Sequence, residues 1–104
     1  MFATVRRYEG IDASKKDELT KKVGESLAPK LSKLPGFSSY FLIDTGNGVM
    51  SSIGVFETST QANDSTRVAS EWVRDEKLEN ILQNPPKVTD GEVIVHKTMN
   101  GIKA

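Results

Sequence analysis

Residues 36 to 57, GFSSYFLIDTGNGVMSSIGVFE, constrain the fold more than any other stretch of the chain. They divide into two apolar runs, about 37 to 44 and 49 to 57, around Asn47-Gly48, a dipeptide that supplies the positive φ angles a tight hairpin turn demands. On the first strand the alternating sets are Phe37, Ser39, Phe41, Ile43 and Ser38, Tyr40, Leu42, Asp44. On the second they are Val49, Ser51, Ile53, Val55 and Met50, Ser52, Gly54, Phe56. Whichever set packs on a core, the other leaves large apolar groups uncovered, such as Tyr40 and Leu42 or Met50 and Phe56. A patch of that kind exceeds the roughly few hundred Å² that monomers tolerate, so the second face calls for a partner. A two-fold related copy of the same chain is the economical one.

The flanking segments supply helices for the other face. FATVRRY, residues 2 to 8, reads as a first strand. Leu19, Val23, Leu27, Leu31 and Leu34 then fall on one stripe of a helix that Asp12 or Ser14 can cap and Pro35-Gly36 stops. Pro29 lies inside that pattern and cannot donate to the Glu25 carbonyl, which predicts a kink or break near residues 25 to 29. Thr58 and Gln61 form a T-x-x-Q capping box opening a second helix to about Asp75, with Ala62, Ala69, Trp72 and Val73 turned inward. A short helical segment carrying Leu78, Ile81 and Leu82 is expected before Pro85-Pro86, and GEVIVHKT, residues 91 to 98, reads as the last strand. No internal repeat or linker interrupts this order, so residues 1 to 104 are expected to form one domain. The order is the ferredoxin-like βαββαβ of the α+β class: a four-stranded antiparallel sheet with two helices on one face.

Composition narrows the function. With no cysteine, disulfides, thiolate metal sites, iron–sulfur clusters and cysteine nucleophiles are all excluded. Fourteen basic side chains balance fourteen acidic ones and are scattered, which disfavours nucleic-acid binding because that rests on a concentrated positive surface. No apolar run approaches the ~20 residues that span a bilayer, and MFATVRRYEG has no secretory apolar segment. A cytoplasmic protein with no membrane partner is expected. One histidine and no carboxylate pair at ligand spacing give no metal site.

LPGF at 34 to 37, GVFET at 54 to 58 leading into a helix with EWV at 71 to 73, and the final PPKVTDGEVIV are similar to the dimeric α/β-barrel superfamily, in its antibiotic-biosynthesis-monooxygenase-like branch. The resemblance covers nearly the whole chain. It implies a homodimer whose sheets close face to face as a dimeric α/β barrel, with a small-molecule cavity between sheet and helices in each subunit. Two functions follow from it: a cofactor-independent monooxygenase or isomerase acting on an aromatic or quinone-like metabolite, or a non-catalytic ligand-binding or interaction protein on the same fold. Haem-degrading members pair an asparagine on the first strand and a tryptophan on the second helix with a histidine beyond it. Here Trp72 matches the tryptophan, but the first strand offers Thr4, Arg6, Arg7 and Tyr8 and the region around 82 reads Ile81-Leu82-Gln83. No haem or other cofactor is therefore assigned.

The resemblance makes Trp72 the foremost cavity residue, although an inward tryptophan on a helix is equally a core residue. His96 is the candidate general base, since histidine is the residue type most often used for proton transfer, against a surface or structural role near a strand end. Tyr8, Arg6, Tyr40 and Asn63 complete the substrate-binding candidates. Arg6 and Tyr8 share one face of the first strand and can present a cation and a hydroxyl to one ligand, or else close the dimer interface.

Overall fold

The computed structural model describes residues 1–98. Strands β1 (Phe2–Tyr8), β2 (Phe37–Gly46), β3 (Val49–Phe56) and β4 (Lys87–Glu92) form one antiparallel sheet in the order β2-β3-β1-β4. Between β1 and β2 run a 3₁₀ turn (Ala13–Lys15), helix α1 (Lys16–Lys22), a π-turn (Val23–Leu27) and helix α2 (Ala28–Ser32). Helix α3 (Ser59–Asp75) connects β3 to β4. This is the ferredoxin-like α+β arrangement, and the two helical segments pack on the same face of the sheet.

The expected kink takes a definite form. Pro29 cannot bond to the Glu25 carbonyl, and the chain accommodates this upstream: the Ala28 N–H reaches back to the Val23 carbonyl, widening one turn. Helix then resumes with Pro29 in its first turn, where a missing N–H costs least. Leu19, Val23, Leu27 and Leu31 stay on one buried stripe through the irregularity. They pack with Met50, Ala69 and Trp72, while Phe37 and Phe56 meet edge to face at 5.7 Å.

Capping and turns follow the sequence closely. Asp12 accepts from the Ser14 N–H at 2.9 Å, and Thr58 and Gln61 complete a reciprocal box at 3.2 and 3.1 Å. Asn47 and Gly48 have φ of 55° and 75°. Glycine is required at 48 for a second reason: its carbonyl accepts from the Ile11 N–H at 2.9 Å, and a Cβ there would lie 2.7 Å from the Ile11 oxygen.

Three features differ from the sequence reading. The last strand is Lys87–Glu92 and not 91–98. β4 pairs with β1 from Arg7↔Lys87 to Phe2↔Glu92, so the sheet runs out of β1 residues at Glu92 whatever the strand propensity of Val-Ile-Val. After one more bond, Val93 N–H to Met1 O at 2.9 Å, Ile94 and Val95 stand exposed. Secondly, the segment around Leu78, Ile81 and Leu82 is a single turn closed on the Leu78 carbonyl and not a helix. α3 ends just before it in a Schellman motif, Lys77 N–H to Arg74 O and Leu78 N–H to Val73 O, with Lys77 at φ 57° and Leu78 buried beneath. Thirdly, Tyr40, Leu42, Met50 and Phe56 all face the helices. The uncovered set is the other one, apart from Phe37, which a register shift before Ser39 leaves packed on the core: Phe41 opposes Ile53, which opposes Val5, and Val55 opposes Ala3. Phe41 is 55% exposed and Ile43 42%.

Candidate functional site

The alternation of β1 turns Thr4, Arg6 and Tyr8 toward the helices, where α3 presents only small side chains: Ala62, Ser65, Thr66 and Ala69. That leaves room for an arginine to lie flat beneath α3, and Arg6 is 1% exposed. Its Nε donates to Ser52 Oγ at 3.1 Å and its Nη1 to Thr66 Oγ1 at 3.2 Å. Thr66 Oγ1 also lies 3.3 Å from Thr4 Oγ1. Nη2 has no partner. None of the ion pairs among the described residues includes Arg6, so its charge sits in the interior without a carboxylate.

This guanidinium forms the polar end of a pocket between sheet and helices. Ser52, Tyr8 and Tyr40 share that end; the apolar walls come from Leu19, Val23 and Leu27 of the first helical segment, Leu42 and Met50 of the sheet, and Trp72 and Val73 of α3. Burial pushes the pKa of both phenols up, and the nearby Arg6 charge only partly opposes it. Both hydroxyls are therefore neutral donors at neutral pH.

The enclosed space is about 20 Å³, enough for one water. Two wider grooves adjoin it. One of about 290 Å³ runs between the π-turn and β2 past Gly24 and Ala28 and shares Val23, Tyr40, Leu42 and Met50 with the pocket. Another of about 240 Å³ lies under the 79–86 loop and shares Tyr8, Val73 and Leu82. A ligand larger than water must spread these shared side chains.

Of the residues singled out in the sequence, Arg6, Tyr8, Tyr40 and Trp72 come together in this one pocket. Trp72 is both wall and core: it is 3% exposed, and its indole N–H donates to Ser26 Oγ of the π-turn at 2.9 Å. Asn63 lies on the exposed side of α3, and His96 lies in the exposed segment beyond β4; neither lines the pocket. Ser52 and Thr66, which grip the guanidinium, were not among the sequence candidates. The one signal for Thr66 is its place beside the inward stripe Ala62, Ser65, Ala69, Trp72. Among the described residues no group of His, Cys, Asp and Glu is placed to hold a metal ion, and no helix is long and apolar enough to cross a membrane.

The same architecture recurs in solved structures. A protein of unknown function from Nitrosomonas europaea superposes with a TM-score of 0.75 at 17% identity, over 96% of this chain and 95% of that one. A MhuD variant with two manganese protoporphyrin IX molecules bound per active site gives 0.73 at 16% identity, over 95% and 100%. The ActVA-Orf6 monooxygenase of Streptomyces coelicolor, in complex with nanaomycin D, gives 0.71 at 18% identity, over 95% and 92%. The chain shares the fold of these proteins. No protein-family model and no curated protein matches it in sequence. At such identities the fold alone is what is shared, and the pocket residues must be read for themselves. Within that fold the present chain places an arginine on β1 at the pocket floor and tyrosines on β1 and β2 beside it.

Proposed function

We propose that the protein is a cytoplasmic homodimer that binds an aromatic or quinone-like metabolite between sheet and helices and oxygenates it without a cofactor. The observation that carries this is the buried Arg6, without a carboxylate partner, at the end of a pocket otherwise walled by apolar groups and Trp72. An apolar pocket with a few convergent polar groups suits a flat aromatic body with one polar edge. Oxygenation of an activated methylene to a carbonyl by O₂ balances by itself: the carbon loses two hydrogens and gains one oxygen atom, and the second oxygen leaves as water. No external reductant is consumed. The protein's part is to hold the ionised substrate and exclude bulk water. The ActVA-Orf6 monooxygenase of the same fold, with nanaomycin D bound, supports a ligand of this class.

The second copy is proposed to cover the outer sheet face, where Phe41, Ile53, Val5 and Val55 form an apolar band, with Ile94 and Val95 adding apolar surface beyond β4. A non-catalytic binding role is the second reading. It is favoured by the pocket lining, which holds no histidine or carboxylate to serve as general base, so a proton must leave the substrate by another route. Oxygen uptake with a panel of hydroquinones and anthrones, followed alongside Trp72 emission, tests both. Quenching with oxygen consumption is expected. Quenching without consumption across the panel would leave the binding role alone.

A further inference from the structure

We infer that the polar end of the pocket is a single-oxygen anion site, in which Arg6 Nη2 with the Tyr8 and Tyr40 hydroxyls takes the ionised oxygen of an enol or phenol in preference to a carboxylate. This deepens the proposed function and rests on the pocket being the ligand site. A carboxylate is best held by two parallel N–H donors of the guanidinium fork. Here Nε is engaged by Ser52 and Nη1 by Thr66, and Nη2 is the nitrogen without a partner. Of the two ways to grip both oxygens of a carboxylate, the side-on one needs the single Nε hydrogen that Ser52 holds and the end-on one needs Nη1, which already gives one of its two hydrogens to Thr66, whereas a single oxyanion needs only the free nitrogen. The phenols strengthen the preference. Burial keeps both neutral, so each has an O–H to turn toward an anion, and the guanidinium is close enough to act on both.

Charge leads to the same conclusion. An arginine 1% exposed with no carboxylate beside it is a cation awaiting a counter-ion, and the apolar walls raise the strength of any pairing inside. Arg6, Tyr8 and Tyr40 are the titratable groups lining the pocket. In the adjoining grooves Asp44 is engaged by Lys16 Nζ at 3.0 Å, and Glu79 borders the other side. The cation favours the charged form of the ligand, so a bound enol or phenol ionises at lower pH than a free one.

The test uses 4-nitrophenol, a one-ring probe whose phenolate absorbs visibly, with 4-nitrobenzoate as the carboxylate arm and Trp72 emission as the measure of occupancy. The bound phenol is expected to ionise about one pH unit or more below the free one, which means phenolate held about tenfold tighter than phenol. Binding of 4-nitrobenzoate is expected to be weaker than that of the phenolate. Arg6→Gln should abolish the shift. Should that variant fail to fold, Tyr8→Phe and Tyr40→Phe, which keep ring volume, should each reduce it. Quenching of Trp72 with unshifted ionisation, or tighter binding of the benzoate, would overturn the inference and leave the pocket reading standing. Unchanged emission with both probes would overturn the pocket reading and this inference with it.

Discussion

The indole N–H of Trp72 in α3 donates to Ser26 Oγ in the π-turn at 2.9 Å, tying the two helical segments together directly above the pocket. The two ends of this bond are unequal. Ser26 is exposed and its hydroxyl can turn to water, whereas the buried indole has nowhere else to donate.

That inequality predicts a specific non-additivity. Ser26→Ala should cost about 1 to 2 kcal/mol by stranding the indole N–H. Trp72→Phe should cost about 1 to 3 kcal/mol through altered packing, and in that background Ser26→Ala should be close to neutral. Urea unfolding of the four proteins of the cycle measures it; equal effects of Ser26→Ala in both backgrounds would contradict the bond.

The outer face gives a prediction about assembly. Sedimentation at micromolar concentration should show roughly twice the 11.4 kDa chain mass. Phe41→Asp or Ile53→Asp should yield monomers or insoluble protein, because an unpaired charge buried in an interface costs about 3 to 5 kcal/mol. A well-folded monomer formed by the unaltered chain would contradict the dimer.

Lys77 occupies the left-handed position of the Schellman motif with φ 57°, and its side chain is exposed. A residue with a Cβ is disfavoured there by about 1 kcal/mol. Lys77→Gly should therefore stabilise the protein by up to about that amount, less what glycine adds to the freedom of the unfolded chain, seen as a higher urea midpoint at unchanged slope.

Tyr8 and Tyr40 set the alkaline limit. Their pKa values lie above the ordinary 10.0 because burial disfavours the phenolate. Above 10.0 the unfolded chain releases these protons while the folded one retains them, so the unfolded state binds fewer protons and stability falls as pH rises. Below that value their contribution is complete. Urea midpoints measured upward from about pH 8 should decline once tyrosine ionises in the unfolded chain, and the Tyr8→Phe/Tyr40→Phe pair should flatten the decline.

Local patterns were legible in the sequence, and features set by distant partners were not. The four-residue spacing of Leu19, Val23, Leu27 and Leu31, the Thr58–Gln61 box and the Asn47-Gly48 turn each encode their geometry within a few residues. Which face of β2 and β3 packs inward was illegible, since both alternations carry large apolar groups. The end of β4 depends on where β1 begins, and the strand propensity of Val93 to Val95 contains nothing about that. Arg6 was a visible candidate, but its acceptors, Ser52 and Thr66, lie 46 and 60 residues away. Its burial follows from the small residues of α3, whose inward stripe was legible but whose fit over a β1 arginine was not.

Side chains spaced every four residues advance about 40° per step around a regular helix, so a stripe from Leu19 to Leu31 would swing through about 120° and lose the sheet. The wide turn at Val23–Leu27 takes up part of that swing. In the language of insertions and deletions, it behaves as one residue added to a helix whose two ends were already fixed. Removing a residue between 23 and 27 would restore a regular helix in which Leu31 stands only about 20° from Leu19, so both ends would keep their faces while the Ser26 contact to Trp72 is disturbed. The irregularity thus lengthens this connection by one residue without turning its ends off the core.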